Sequence, residues 1–404
     1  MMMHLRLLRL RSNRLVGATR SASALSSLAF DPSRHYSHVS TKNNELSRQP
    51  HHQPSMAMAC RRYSSTRHLQ QQQPKLAYEW IVDGTVIPQS KIMDHEIDND
   101  KEVIVFLHGL LGNAKNLRTP AKKLTQQLPH YNALLLDIRG HGNSSPSTIA
   151  KSQSTSFSQP HNFQSCVQDI FDTLSPLGLT GLNSPKAICG HSLGGRIALQ
   201  YSHSLCTTAA DTAQTIEPPR QTWVLDSVPG KADPSVHNVL RAISSLPRPI
   251  ASKKWLIDTL VTKYSMDKGV AMWIATNLRD SGDGHKSLDW VFDLGIANEL
   301  VQNFSDQDFV EMIHNVTTTT TNGKSSNDVN NDNNSMVQLV MAGKNKSWSD
   351  EIVSELESIP SFQKEESLRS SSLFQMHTLD KAGHWVHVDD LEGLLKLMVE
   401  GLKQ

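Results

Sequence analysis

Short, largely apolar runs punctuate the chain at 103–107, 133–136, 187–189, 222–225 and 337–341, each followed within two residues by glycine or aspartate. Runs of this length without two-residue alternation predict strands buried on both faces, as in a parallel sheet. Between them the apolar positions shift to helix spacing. Leu117, Ala121, Leu124 and Leu128 share one face, as do Phe163, Val167, Ile170 and Leu174. Strands alternating with helices predict an α/β fold, a doubly wound, mostly parallel sheet with right-handed crossovers. An alternating stretch at 76–80, closed by an Asp83-Gly84 turn, reads as an edge strand, and 374–379 as the last strand.

After Pro229-Gly230 the pattern turns purely helical. Asp233-Pro234 has the form of an N-cap followed by proline at the first helical position. Val236, Val239, Leu240, Ile243 and Leu246 then line one face, and further helices are expected at 255–264, 272–277 and 294–304. A block of helices inserted between two sheet strands predicts a cap over the carboxyl edge of the sheet. The threonine- and asparagine-rich stretch at 314–335 predicts a disordered loop. The expected organisation is therefore a core in two parts, 76–230 and 336–404, with a helical cap at 231–313 and the loop at 314–335. The closing helix falls at 391–402.

The 404 residues leave room for a large core, and a net charge of +1 offers nothing for nucleic acid to recognise. Cys60, Cys166, Cys189 and Cys206 lack metal-ligand spacing and fit a reducing compartment better than a disulfide scaffold. No apolar run reaches the roughly 18 residues of a transmembrane helix. Residues 1–75 read as a targeting segment. Arginines at 6, 9, 11, 14 and 20 interleave with leucines at 5, 7, 8, 10 and 15, and no acidic residue precedes Asp31. That composition describes an organelle transit peptide. Mitochondrion is the expected destination, a plastid the alternative, and Arg61-Arg62-Tyr63-Ser64 the candidate processing site.

Candidate chemistry centres on Gly190-His191-Ser192-Leu193-Gly194-Gly195, set between a buried strand and a helix. Strand, G-x-S-x-G and helix form the context of a nucleophile elbow, whose turn is too sharp for a side chain on either flank. A serine hydroxyl needs a base, and His384 lies on the loop after the last strand, with His387 close by. The acid that orients the imidazole is expected at Asp226, where the strand before the cap ends; Asp350 and Ser347 are the alternatives, because the turn at 342–348 holds no carboxylate. The backbone N–H groups of Leu193 and Leu110 are the expected oxyanion donors. No cofactor or metal motif is present, so the expected partner is a small-molecule ester.

His108-Gly109, Asp137-x-Arg139-Gly140-His141-Gly142-x-Ser144, the Gly190–Gly195 elbow motif and Gly383-His384, in this order, resemble the alpha/beta-hydrolase superfamily. Residues 107–112, Asp226-Ser227-Val228-Pro229, Thr276-Asn277-Leu278 and 382–387 are similar to the group around alpha/beta-hydrolase domain-containing protein 11 and its bacterial esterase relatives. The resemblance implies an alpha/beta-hydrolase fold with an inserted helical cap. It also implies a mitochondrial or bacterial type of serine esterase acting on esters, and on thioesters or acylglycerols. The alternatives are non-ester chemistry on the same fold, such as a cofactor-free haloperoxidase or a C–C hydrolase, and a non-catalytic ligand-binding or complex-stabilising role. The insertion at 314–335 and the lysine-rich turn at 344–346 depart from the group's pattern.

Overall fold

The apolar runs become the central strands of one sheet. In the computed structural model, which describes residues 75–403 apart from 96, 99, 146–156, 208–215, 282–286, 319–334 and 360–372, the strands in chain order are β1 (Tyr78–Val82), β2 (Thr85–Pro88), β3 (Glu102–Leu107), β4 (Tyr131–Leu136), β5 (Ala187–His191), β6 (Gln221–Leu225), β7 (Leu278–Asp280), β8 (Leu288–Trp290), β9 (Met336–Ala342) and β10 (Phe374–Leu379). Eight of them form a sheet in the order β10-β9-β6-β5-β3-β4-β1-β2. The pairs from β4 through β10 are parallel, whereas β1 runs antiparallel to both β4 and β2. The expected targeting segment lies outside the described residues.

Period-two alternation divides the core between the two faces of the sheet. Val105, Leu107, Leu134 and Leu136 point into one apolar layer, and Ile104, Phe106, Ala133 and Leu135 into the other. Helix α1 (Arg118–Gln127) covers the second layer. Helices α2 (Phe163–Leu174) and α3 (Leu193–Thr207) cover the first. Parallel neighbours need long crossovers, and these helices provide them.

Between β6 and β9 the chain inserts α4 (Pro234–Ser244), α5 (Lys253–Tyr264), α6 (Lys268–Thr276), α7 (Leu294–Gln302) and α8 (Phe309–Thr318). Asp233 caps α4 by accepting from Ser235 N, with Pro234 following it. Helix α9 (Asp350–Glu357) follows β9, and α10 (Leu391–Gly401) closes the described chain.

Three features differ from expectation. The 76–80 stretch is not the edge strand: Asp83 and Gly84, with φ of 48° and 75°, turn β2 back onto it, and β2 is the edge. An Asp-Gly pair with both φ positive suits a tight hairpin, and that turn, not the alternation, decides the position. The boundaries at 313 and 314 fall inside α8. Phe309, Met312, Ile313 and Val316 form a continuous apolar face against Leu199, Val224 and Leu339, so this helix flanks the sheet and runs on into the threonines. The β7–β8 hairpin was hidden in the insert because three residues per strand carry too little periodicity.

Arg139 is buried and structural. Its Nε donates to Asp169 Oδ2 at 2.6 Å, with both side chains 4% exposed. Asp169→Ala would leave an uncompensated guanidinium in the core and is expected to destabilise the fold by about 3–5 kcal/mol, read as a lower urea midpoint.

Candidate active site

Ser192 occupies the turn between β5 and α3 with φ of 54°. A non-glycine residue in this left-handed region costs about 1–2 kcal/mol, so the surroundings must hold it. Ser192 N donates to Leu225 O at 2.8 Å, and Ser227 Oγ donates to Ser192 O at 2.7 Å. The flanking glycines are required by space. A Cβ on Gly190 would run into the backbone of Gly194, and one on Gly194 would reach within 2.6 Å of His108 O. Gly195 is equally constrained, since a Cβ there would strike Ser227 Oγ.

Across from the elbow, His384 Nδ1 and Asp226 Oδ2 are 2.7 Å apart. An ionised carboxylate accepts only, so Nδ1 carries the hydrogen and Nε2 is left with a lone pair. His384 is 46% exposed at its side chain, while that of Asp226 is wholly buried. Burial of a carboxylate demands donors. Ala342 N at 2.9 Å and Trp348 Nε1 at 2.7 Å bind Oδ1, and Asn345 Nδ2 at 2.7 Å joins His384 on Oδ2. The turn at 342–348 therefore supplies hydrogen-bond donors to the carboxylate of the neighbouring strand. Ser347 Oγ instead donates to Asp233 Oδ2 at 3.0 Å, and Asp350 is exposed at the start of α9. Asn345 and Trp348 escaped the sequence reading; the signal was an amide and an indole just past a strand end in a turn that lacks an acid.

Four further histidines pack beneath this pair. His191 Nε2–H donates to His384 O at 2.7 Å, and its ring lies 4.8 Å from that of His384 and 4.6 Å from that of His387. Burial holds His191 far below the ordinary histidine range and lowers His387 to about 4. His108 donates from Nδ1 to Gly109 O at 2.8 Å and accepts from Ile138 N at 3.1 Å, and burial lowers it to about 3. His141, buried at a ring distance of 5.4 Å from His108, is lowered to about 4. These rings are neutral spacers.

Leu110, Ser192, Asp226 and His384 line one cavity of about 1620 Å³, and Val236, Val239, Met266 and Val270 of the insert supply an apolar wall. Leu193 is buried as the first residue of α3, where backbone N–H groups have no intrahelical acceptor. Leu110 precedes a tight bend: Leu111 has φ of 60°, and Gly112 N donates to Gly109 O at 3.1 Å. Ala114 N, a little further on, donates to Asp137 Oδ1 at 2.7 Å. A hydroxyl on a strained turn, an imidazole oriented by a buried carboxylate, and N–H groups near a helix start are suited to acyl transfer. Among the described residues no cluster of three metal-ligating side chains occurs, and no helix is long and apolar enough to cross a membrane.

The neutral histidines set a pH dependence. Unfolded, each titrates near 6.5; folded, His141 and His387 resist protonation until about 4. Stability is then complete above 6.5 and declines as the pH falls toward 4. Asp137, raised by burial to about 6, and Asp169, also raised by burial, act in the opposite sense, but they are two groups against four histidines. Urea midpoints should fall with decreasing pH, each histidine removing up to about 1.4 kcal/mol of stability per pH unit, and His387→Gln should flatten the slope.

The model of the alpha/beta hydrolase family matches residues 104–397. A probable alcohol acetyltransferase of Saccharomyces cerevisiae is 28% identical over 140 residues, 35% of this chain and 36% of the relative. The sn-1-specific diacylglycerol lipase ABHD11 of Mus musculus is 26% identical over 185 residues, 44% of this chain and 52% of the relative. The chain thus spans between about a third and a half of the length of these relatives. A solved marine microorganism esterase superposes with a TM-score of 0.53 at 17% identity, covering 80% of this chain and 98% of its own. At that identity the likeness shows the fold.

Proposed function

Because the chain belongs to the alpha/beta hydrolase family, we propose that it is a serine hydrolase that cleaves carboxylic esters through an acyl-Ser192 intermediate. In this reading His384 Nε2 takes the Ser192 proton as Oγ attacks the ester carbonyl. The N–H groups of Leu110 and Leu193 receive the developing oxyanion, and His384 returns the proton to the departing alcohol. Water then enters by the same route and releases the acid. Asp226 keeps the imidazole in the tautomer with Nε2 free and stabilises the imidazolium, without itself taking the proton. The insert between β6 and β9 serves as the cap, and its apolar wall receives the acyl chain.

The observation that carries this reading is the 2.7 Å contact between His384 Nδ1 and an Asp226 carboxylate wholly buried among donors, in the cavity that Ser192 also lines. The relatives' names support acyl esters as the substrate class, with acylglycerols among them. The similarity to an alcohol acetyltransferase supports a second reaction, in which an alcohol replaces water as the acceptor. The arginine and leucine pattern before Asp31 supports import into mitochondria, a plastid being the alternative.

The test is a fluorophosphonate probe, run beside turnover of p-nitrophenyl butyrate with and without added ethanol. Ser192→Ala should abolish both labelling and turnover, and His384→Ala turnover. Asp226→Asn should reduce kcat by about 10⁴-fold. Full activity in Asp226→Asn would transfer the acid role elsewhere. A folded wild type that neither labels nor turns over esters would overturn the reading in favour of a ligand-binding role. Ethyl butyrate formed with ethanol present would establish transfer.

A further inference from the structure

Asn277 sits just past the end of α6, on the insert, and is fully buried. A buried amide is tolerated only when its polar atoms are paired. Asn277 Oδ1 accepts from Asn113 Nδ2 at 2.8 Å, and its own Nδ2 donates to Trp273 O at 3.2 Å. Asn113 belongs to the loop that carries Leu110. Its Oδ1 accepts from Lys115 N at 3.0 Å, and its backbone N donates to Asn116 Oδ1 at 2.8 Å. One hydrogen bond between side chains thus spans 164 positions of sequence, from the insert to the loop at 109–113.

That loop needs an external hold. Leu111, next to Leu110, is bent into the left-handed region at φ of 60° although it is a leucine. Such a conformation persists only where the surroundings over-determine it. The chain is gripped on the near side by His108, through Gly109 O and Ile138 N, and on the far side by Asp137 under Ala114. Asn277 adds a hold from the insert. Trp273, one helical turn before Asn277, also lies against Trp385 with ring centroids 5.7 Å apart, and Trp385 directly follows His384. One face of α6 therefore meets both the loop of Leu110 and the loop of His384.

We propose that Asn277 is a positioning residue. Through Asn113 it fixes the bend at Leu111, so that the Leu110 N–H points to where the oxyanion forms. The inference rests on the serine-hydrolase reading above and deepens it. The insert then does more than cover the cavity: it completes the oxyanion hole.

The full chain is tested as wild type, Asn277→Ala, Asn113→Asp and the double variant. Asn113→Asp keeps the acceptor for Lys115 N and replaces the donor to Asn277 with an oxygen that repels Asn277 Oδ1, so it breaks the tether without deleting the cap. Three quantities are measured: kcat, KM for p-nitrophenyl butyrate, and Ki for an alkyl boronic acid that forms a tetrahedral adduct on Ser192. Each single variant should lower kcat about 10- to 100-fold, since a displaced donor is nearly as costly as a missing one. KM should stay within about twofold, and Ki should rise by the factor that kcat/KM falls. The double variant should be no worse than the poorer single one, because both break the same bond. Unchanged kcat in both singles, a loss confined to KM, or losses that multiply would overturn the proposal, whatever happens to thermal stability. An inactive, unlabelled wild type would instead overturn the serine-hydrolase reading with it, whereas an active wild type with unimpaired variants overturns the tether alone.

Discussion

The carboxylate of Asp226 has no water, and the molecule is built to compensate. It follows β6 with φ of 44°, and four donors from two segments converge on its two oxygens. A buried charge left short of donors costs several kcal/mol, so these bonds are a condition of folding. The same four bonds fix the turn at 342–348 against the strand next door and hold the His384 ring against it. His191 completes the arrangement from below by gripping the backbone of His384.

The rest of the interior follows the same economy. Arg196, buried on α3 two residues after Gly194, has no carboxylate within reach among the described residues; its guanidinium is held by the carbonyls of Phe304, Val228 and Gly230. Its plane lies 4.2 Å from the Phe304 ring centroid, a favourable contact for a desolvated cation. Removal from water lowers it to about 9. The elbow helix, the segment after Asp226 and the end of the insert are thereby joined by one side chain. Polar groups in this protein are placed where they lock segments that the apolar layers alone would leave free to slide.

Much of the fold was legible because the central strands announce themselves. Residues 103–107, 133–136 and 222–225 are apolar on both faces, and such runs have few other uses. The elbow was legible for a different reason, since Gly190 and Gly194 answer a steric demand that no other residue meets. Ser192, Asp226 and His384 line one cavity, and the role of each is left to the experiments. What escaped was relational. Asn345 and Trp348 mean nothing until β9 lies beside β6, and Asn277, though part of a stretch that carries the resemblance, shows its partner only when α6 meets the loop after β3. The α8 boundary failed because polar composition at 317 and beyond masked an apolar stripe that reaches Val316. Side chains whose purpose is to touch a distant segment leave no local signature.

The order of the sheet has a temporal meaning. Ser192 follows β5 directly, whereas His384 comes 192 positions later, beyond β10, which among the described residues pairs with β9. During synthesis the hydroxyl, its glycine turn and the carboxylate emerge long before their imidazole. Domains grow from the amino end, and long-range parallel pairing comes late. On the serine-hydrolase reading, a chain synthesised only as far as β9 carries its serine and carboxylate without the base.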